Sequence, residues 1–135
     1  MIAVDANVIA YLWIRGPRTA AAERVLEKDA DWIAPALWRS EIRSVAAGHL
    51  RAGDLTLDAC LAIIGGAEAQ MRGREFDVPT EAVMDLVARS QASAYDCEYV
   101  ALAMDMGVRL VSNDLALGRE FPGTVVGMKE FAGRR

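Results

Sequence analysis

The chain begins with a short apolar run, Ile2-Ala3-Val4, that stops at an acid, Asp5, and then turns helical through Val8-Ile9-Ala10-Tyr11-Leu12. A run apolar on every residue, too short for a helix, reads as a strand buried on both faces, which is the habit of parallel sheets. The same punctuation recurs. Trp32-Ile33-Ala34, Val108–Val111 and Thr124-Val125-Val126 are further strands set between helical stretches. Strands alternating with helices dictate a mostly parallel sheet with helices on both faces. Right-handed crossovers restrict its topology, and the place where neighbouring crossovers diverge opens a crevice at the carboxyl ends of the strands. Asp5 stands at that edge.

The helices follow from periodicity and punctuation. Thr19–Lys28 carries Ala22, Val25 and Leu26 on one face, behind a Gly16-Pro17 break. Pro35 opens a helix over 36–52, with Trp38, Ile42, Val45 and His49 as its apolar stripe and Gly53 as its end. The next helix starts near Thr56 or Leu57, carries Leu61 and Ile64, and stops at Gly65-Gly66. Met71–Val78 fits neither period. Pro79-Thr80 begins another helix, with Val83, Leu86 and Val87 apolar. Ser93–Met106 is a further helix closed by Gly107, Asp114–Glu120 a short one, and Met128–Phe131 adds a turn. With 135 residues and no linker or repeat, a single domain spanning 1–135 is expected.

Composition removes several classes of function. A 53% hydrophobic, 25% charged chain is a folded protein, not a disordered one. Asp5 interrupts any signal-peptide core, and no apolar run approaches a membrane span, so a cytoplasmic protein with no membrane partner is expected. Cys60 and Cys97 are far apart, and His49 is the only histidine, so zinc is poorly supported. Any metal must take oxygen ligands, which favours magnesium or manganese. The net charge of −4 does not advertise a nucleic-acid partner, but acids gathered into one site would leave the remaining surface less acidic.

Four acids stand out by position, and each has a plain structural alternative. Asp5 follows a strand and could simply cap the next helix. Glu41 lies in the first turns of its helix, flanked by Arg39 and Arg43, and could be solvated. Asp96 completes a Ser93-x-x-Asp96 capping-box pattern. Asp114, past Ser112-Asn113, mirrors Asp5 and could also be a cap. Their joint placement around one crevice is what sets them apart. Clustered carboxylates repel and lose solvation unless a cation offsets both.

VDANV, LWRSEI around Glu41, SAYDCEYVALA and VSND, in that order, resemble the PIN-domain ribonucleases, and more narrowly the VapC toxins of toxin–antitoxin pairs. The resemblance spans nearly the whole chain, apart from the region around Met71–Val78. It implies a PIN-like three-layer α/β/α sandwich with a central, mostly parallel sheet of four or five strands. It implies a ribonuclease that uses Mg2+ or Mn2+ held by Asp5, Glu41, Asp96 and Asp114, with Asn7 and Ser112 in support. Ser112 stands where a threonine is more usual. It also implies a VapB-like antitoxin partner, a homodimer and higher toxin–antitoxin assemblies. Trp13, Leu37 and Trp38 flank the early helices where an antitoxin segment would dock. Arg15, Arg18, Arg39 and Arg43 lie near enough in sequence to the acidic edge to meet RNA phosphates. The alternative is a catalytically silent PIN-like module that binds RNA or a partner. A phosphatase of the haloacid-dehalogenase type would want an acid where Asn7 stands. A receiver domain would want a late lysine, and Lys28 and Lys129 are the only lysines.

Overall fold

A computed structural model describes residues 1–133. Five parallel strands form the sheet: β1 (Ile2–Val4), β2 (Trp32–Pro35), β3 (Glu75–Phe76), β4 (Leu110–Val111) and β5 (Val125–Val126), in the order β3-β2-β1-β4-β5. Every residue of β1 and β2 is buried, as their unbroken apolar runs require. Between β1 and β2 run α1 (Ala6–Trp13) and α2 (Thr19–Lys28), and between β2 and β3 run α3 (Trp38–Ala52) and α4 (Leu57–Gln70). Then come α5 (Thr80–Ala88) and α6 (Ala94–Met106) before β4, α7 (Leu115–Glu120) before β5, and finally α8 (Met128–Ala132).

The connections leave β1 toward β2 and leave β4 toward β5, in opposite directions. The switch point therefore lies between β1 and β4, and right-handed crossovers send α1–α4 to one face and α5–α7 to the other. The register pairs Val4 with Val111, so the residues that follow these two strands emerge side by side. Helix α6 lies across β1, β2 and β4 and buries Cys97 and the run Tyr99–Ala103. Gly107, at φ 66, reverses the chain after it in a left-handed conformation that costs glycine little. Cys60 and Cys97 are both buried free thiols. Among the described residues, no helix is long and apolar enough to cross a membrane.

The structure revises three local expectations. First, Gly65-Gly66 does not end α4, which runs on to Gln70. Gly66 is instead a contact point, because a Cβ there would lie 2.4 Å from Cζ3 of Trp13. Leu61, expected on the apolar face of this helix, is exposed. Second, the buried stripe of α3 is Trp38, Ile42 and Ala46. Val45 is only partly covered, and His49 turns to Asp54 at 3.1 Å. Third, the region 71–78 contains the edge strand β3, paired with β2 through the backbone and tied by Glu75 to the start of α3. Glu75 accepts from Arg39 Nε at 2.6 Å, Arg39 Nη2 at 2.8 Å and Trp38 Nε1 at 2.7 Å.

Candidate active site

Asp5 leaves β1 and caps α1, with its Oδ1 accepting from the Asn7 backbone N–H at 3.1 Å. Asp114 leaves the β4 edge and caps α7, with its Oδ1 accepting from the Leu117 N–H at 3.0 Å. Both are therefore caps, as their sequence position allowed. Capping uses one oxygen of Asp114 and leaves the other. Ser112, buried between them, ties the two acids together. Its hydroxyl donates to Asp5 Oδ2 at 2.7 Å and accepts from the Asp114 backbone N–H at 3.1 Å.

Asp96 lies in the first turn of α6, where Ser93 is the cap and its Oγ accepts from the Asp96 N–H at 3.1 Å. That is one half of a capping box, and among the described residues no return bond from the Asp96 carboxylate to the Ser93 backbone forms. The carboxylate is left without a capping bond, within the field of Asp114 and Asp5. Burial pushes the Asp96 carboxyl above its ordinary range, the charges of Asp114 and Asp5 push the same way, and Ser93 opposes them. Glu41 comes from the first turn of α3. Burial raises its carboxyl too, a hydrogen bond from Tyr99 opposes this, and the charges of Asp5, Asp96 and Glu98 add to the rise. The four acids, brought by four separate elements, are thus linked electrostatically through Asp96, which feels Asp5 and Asp114 and is felt by Glu41.

Tyr99 belongs to the site although its sequence context marks it only as a core position. Its hydroxyl donates to Glu41 Oε1 at 2.5 Å, and burial, followed by that bond, raises the phenol well above its ordinary range. The available signal was its spacing, three residues after Asp96 and so on the same helix face.

The expected basic residues divide. Arg39 is committed to Glu75 and to Glu68 at 2.7 Å, and Arg43 lies 3.9 Å from Glu68, so neither turns to Glu41. Arg15 is exposed beside Glu23 at 3.8 Å, and Arg18 sits over the Tyr11 ring at 5.6 Å. Trp38 is buried, and half-buried Trp13 packs on Gly66 and donates to Gln70 Oε1 at 2.7 Å. Both tryptophans thus brace the interior, while Leu37 lines the crevice. A recess of about 400 Å³ lies over Asp5, Asn7, Leu37, Ser40, Glu41 and Tyr95.

Among the described residues, no three acid, histidine or cysteine side chains are drawn together tightly enough to form a closed metal cage. The donor chemistry nonetheless fits a hard divalent cation. Every candidate ligand is a carboxylate oxygen, and the uncompensated negative charge that raises Glu41 and Asp96 is what such a cation would offset.

Sheet order and site together define an α/β protein with a carboxylate crevice at its topological switch point. The PIN domain family matches residues 2–119, and the chain belongs to that family. It is 27% identical over 127 residues to a protein of Pyrobaculum aerophilum named Ribonuclease VapC3, spanning 92% of this chain and 97% of that one. The crystal structure of PAE2754 from Pyrobaculum aerophilum matches with a TM-score of 0.77 at 17% identity, over 97% of this chain and 92% of that one. That likeness supports the three-layer fold.

Proposed function

We propose that this chain is a metal-dependent ribonuclease that hydrolyses RNA phosphodiester bonds and serves as the toxin of a toxin–antitoxin pair. One observation carries the reading. The four acids are linked electrostatically at the switch point of a PIN fold, in a chain similar over nearly its whole length to a protein named as a VapC ribonuclease. Asp5 and Asp96 would be the principal ligands for Mg2+ or Mn2+, with Glu41 and Asp114 completing the site directly or through water. When bound, such a cation acidifies water and neutralises charge that develops on the phosphate. Ser112 and the Asn7 N–H fix Asp5 in one orientation before substrate arrives, so no reorganisation is needed during reaction. Tyr99 holds Glu41 through Oε1 and leaves Oε2 free. Glu41, whose proton affinity burial has raised, accepts the proton of the attacking water at that oxygen. His49 is occupied with Asp54 at the far end of α3 and takes no part. A VapB-like antitoxin and a homodimer accompany this reading as partners.

The test is cleavage of mixed RNA by purified protein with Mg2+ or Mn2+ and with excess chelator. Cleavage that needs the metal supports the reading, and cleavage undiminished by chelator removes the metal from it. RNA that binds but is never cut would return the chain to a silent binding module. Sequencing RNA ends after brief induction in cells would then identify the target.

A further inference from the structure

The crevice has two unequal limbs. The recess over Asp5, Glu41 and Tyr95 has no lysine or arginine in its lining among the described residues. On the other side, Ser112, Asn113 and Asp114 open onto a groove of about 1310 Å³ between α2, α7, α8 and the β5 edge. Five cations line it: Arg18 and Arg24 from α2 and its approach, Arg109 before β4, Arg119 on α7 and Lys129 on α8. The acids in the lining are Asp114 and Glu130. Among the described residues, none of the five cations has a carboxylate within salt-bridge reach. Arg109 spends donors on the Thr124 and Val125 carbonyls, each at 3.1 Å. A chain with a net charge of −4 has therefore gathered a third of its 15 basic residues along one groove.

We infer that this groove is the track that holds the backbone phosphates of single-stranded RNA on one side of the scissile bond. The inference rests on the ribonuclease reading above and goes beyond it by giving the substrate strand a path. The groove is too large for a lone phosphate, and three helices wall it into a recess for one strand rather than a face for a duplex. Its cations come from four separate elements along the groove, and arginine binds phosphate through a bidentate fork. It is continuous with the acids, since Asp114 lines it and Ser112 joins it to Asp5. The strand's negative charge is met along the groove and repelled at the bare acids, so the two limbs together orient it.

The experiment is fluorescence anisotropy of a fluorescein-labelled oligouridylate of about 12 nucleotides, in excess chelator so that no cleavage intervenes. The triple variant Arg24→Glu, Arg119→Glu, Lys129→Glu should weaken binding at least about tenfold. The slope of log Kd against log salt should fall by roughly 2, three contacts at about 0.7 each for a single strand. The charge-matched triple Arg51→Glu, Arg72→Glu, Arg89→Glu, at exposed positions outside the groove lining, should bind with near wild-type affinity. Should the reversals unfold the protein, the neutral set Arg24→Gln, Arg119→Gln, Lys129→Gln should still lower the slope. Wild-type affinity and slope in the folded variants would overturn the inference. So would unaltered RNA binding together with lost capture of a poly-glutamate peptide, which would assign the groove to an acidic protein segment. The two readings fail separately. Wild-type protein that cleaves RNA while the variants bind it normally refutes only the track. Protein that never cleaves RNA while the variants lose binding refutes only the nuclease.

Discussion

Asp96 and Tyr99 occupy one face of α6 and do different work there. Asp96→Asn keeps the side chain's size. It also keeps the helix cap, because Ser93 receives the backbone N–H of residue 96 rather than its carboxylate. What it removes is one charge from a crowded acidic site. Metal-free protein should melt no lower than wild type, whereas RNA cleavage should fall at least about a hundredfold, with toxicity on expression lost. A folded Asp96→Asn protein cleaving at the parental rate would remove Asp96 from the metal site. Tyr99→Phe acts through Glu41. Loss of the 2.5 Å bond removes the one influence that lowers the Glu41 carboxyl, so Glu41 takes up a proton at higher pH. The acidic limb of the pH–rate profile should move upward and the maximal rate should drop about tenfold, within the usual worth of a positioned acid–base group. An unmoved limb would show that Glu41 does not titrate in the reaction.

Helix α4 offers a paired test of what its glycines are for. At Gly65 a Cβ would meet nothing within 4 Å, so Gly65→Ala should stabilise by roughly 0.5–1 kcal/mol from helix propensity alone. At Gly66 the Cβ would collide with a Trp13 ring that Gln70 holds in place, so Gly66→Ala should destabilise by about 1–3 kcal/mol despite the same propensity gain. Chemical denaturation of the two variants decides it, and equal effects would show that the Trp13 contact yields freely. The pair also explains which elements could be read from residue order. Strands β1 and β2, helices α2 and α6, and the positions of Asp5, Asp96 and Asp114 all rest on local patterns. An apolar run ends, an acid follows, a helix starts. The continuation of α4 and the strand β3 rest on partners far away in the chain. Trp13 reaches Gln70, and Arg39 and Trp38 reach Glu75, so no local window contains the reason. The same holds for the link between Glu41 and Tyr99.

At the scale of the whole molecule, the acidic crevice is a cost that the rest of the fold carries. Burial and mutual repulsion raise the folded-state carboxyls of Glu41 and Asp96 above their ordinary values of 4.5 and 3.8. Folded protein therefore binds these protons more tightly than unfolded chain does. The sign follows from linkage. The contribution of these two groups is fully present below the ordinary values and is lost as pH rises through the higher folded values. Glu75, lowered by Arg39, runs the other way and loses its contribution as pH falls. The crevice term can be isolated by difference, since Asp96→Asn cannot titrate at that position. Without metal, the melting temperature of Asp96→Asn relative to wild type should rise as pH goes from about 4 to about 7 and then level off. A divalent cation should cancel the same cost. Mg2+ at about a hundred times its Kd should stabilise wild-type protein by about 2.7 kcal/mol near neutral pH, provided the unfolded chain binds it scarcely at all. That corresponds to a rise of roughly 10 °C for a domain of this size. The rise should shrink as the medium is acidified toward about pH 4, because protonated carboxyls no longer attract the ion. It should also be much smaller at every pH in Asp96→Asn. Thermal melts over a grid of pH and Mg2+ concentration measure both effects at once. A wild-type melting temperature indifferent to Mg2+ at neutral pH would remove the cation from the crevice, whatever the acids do for the fold.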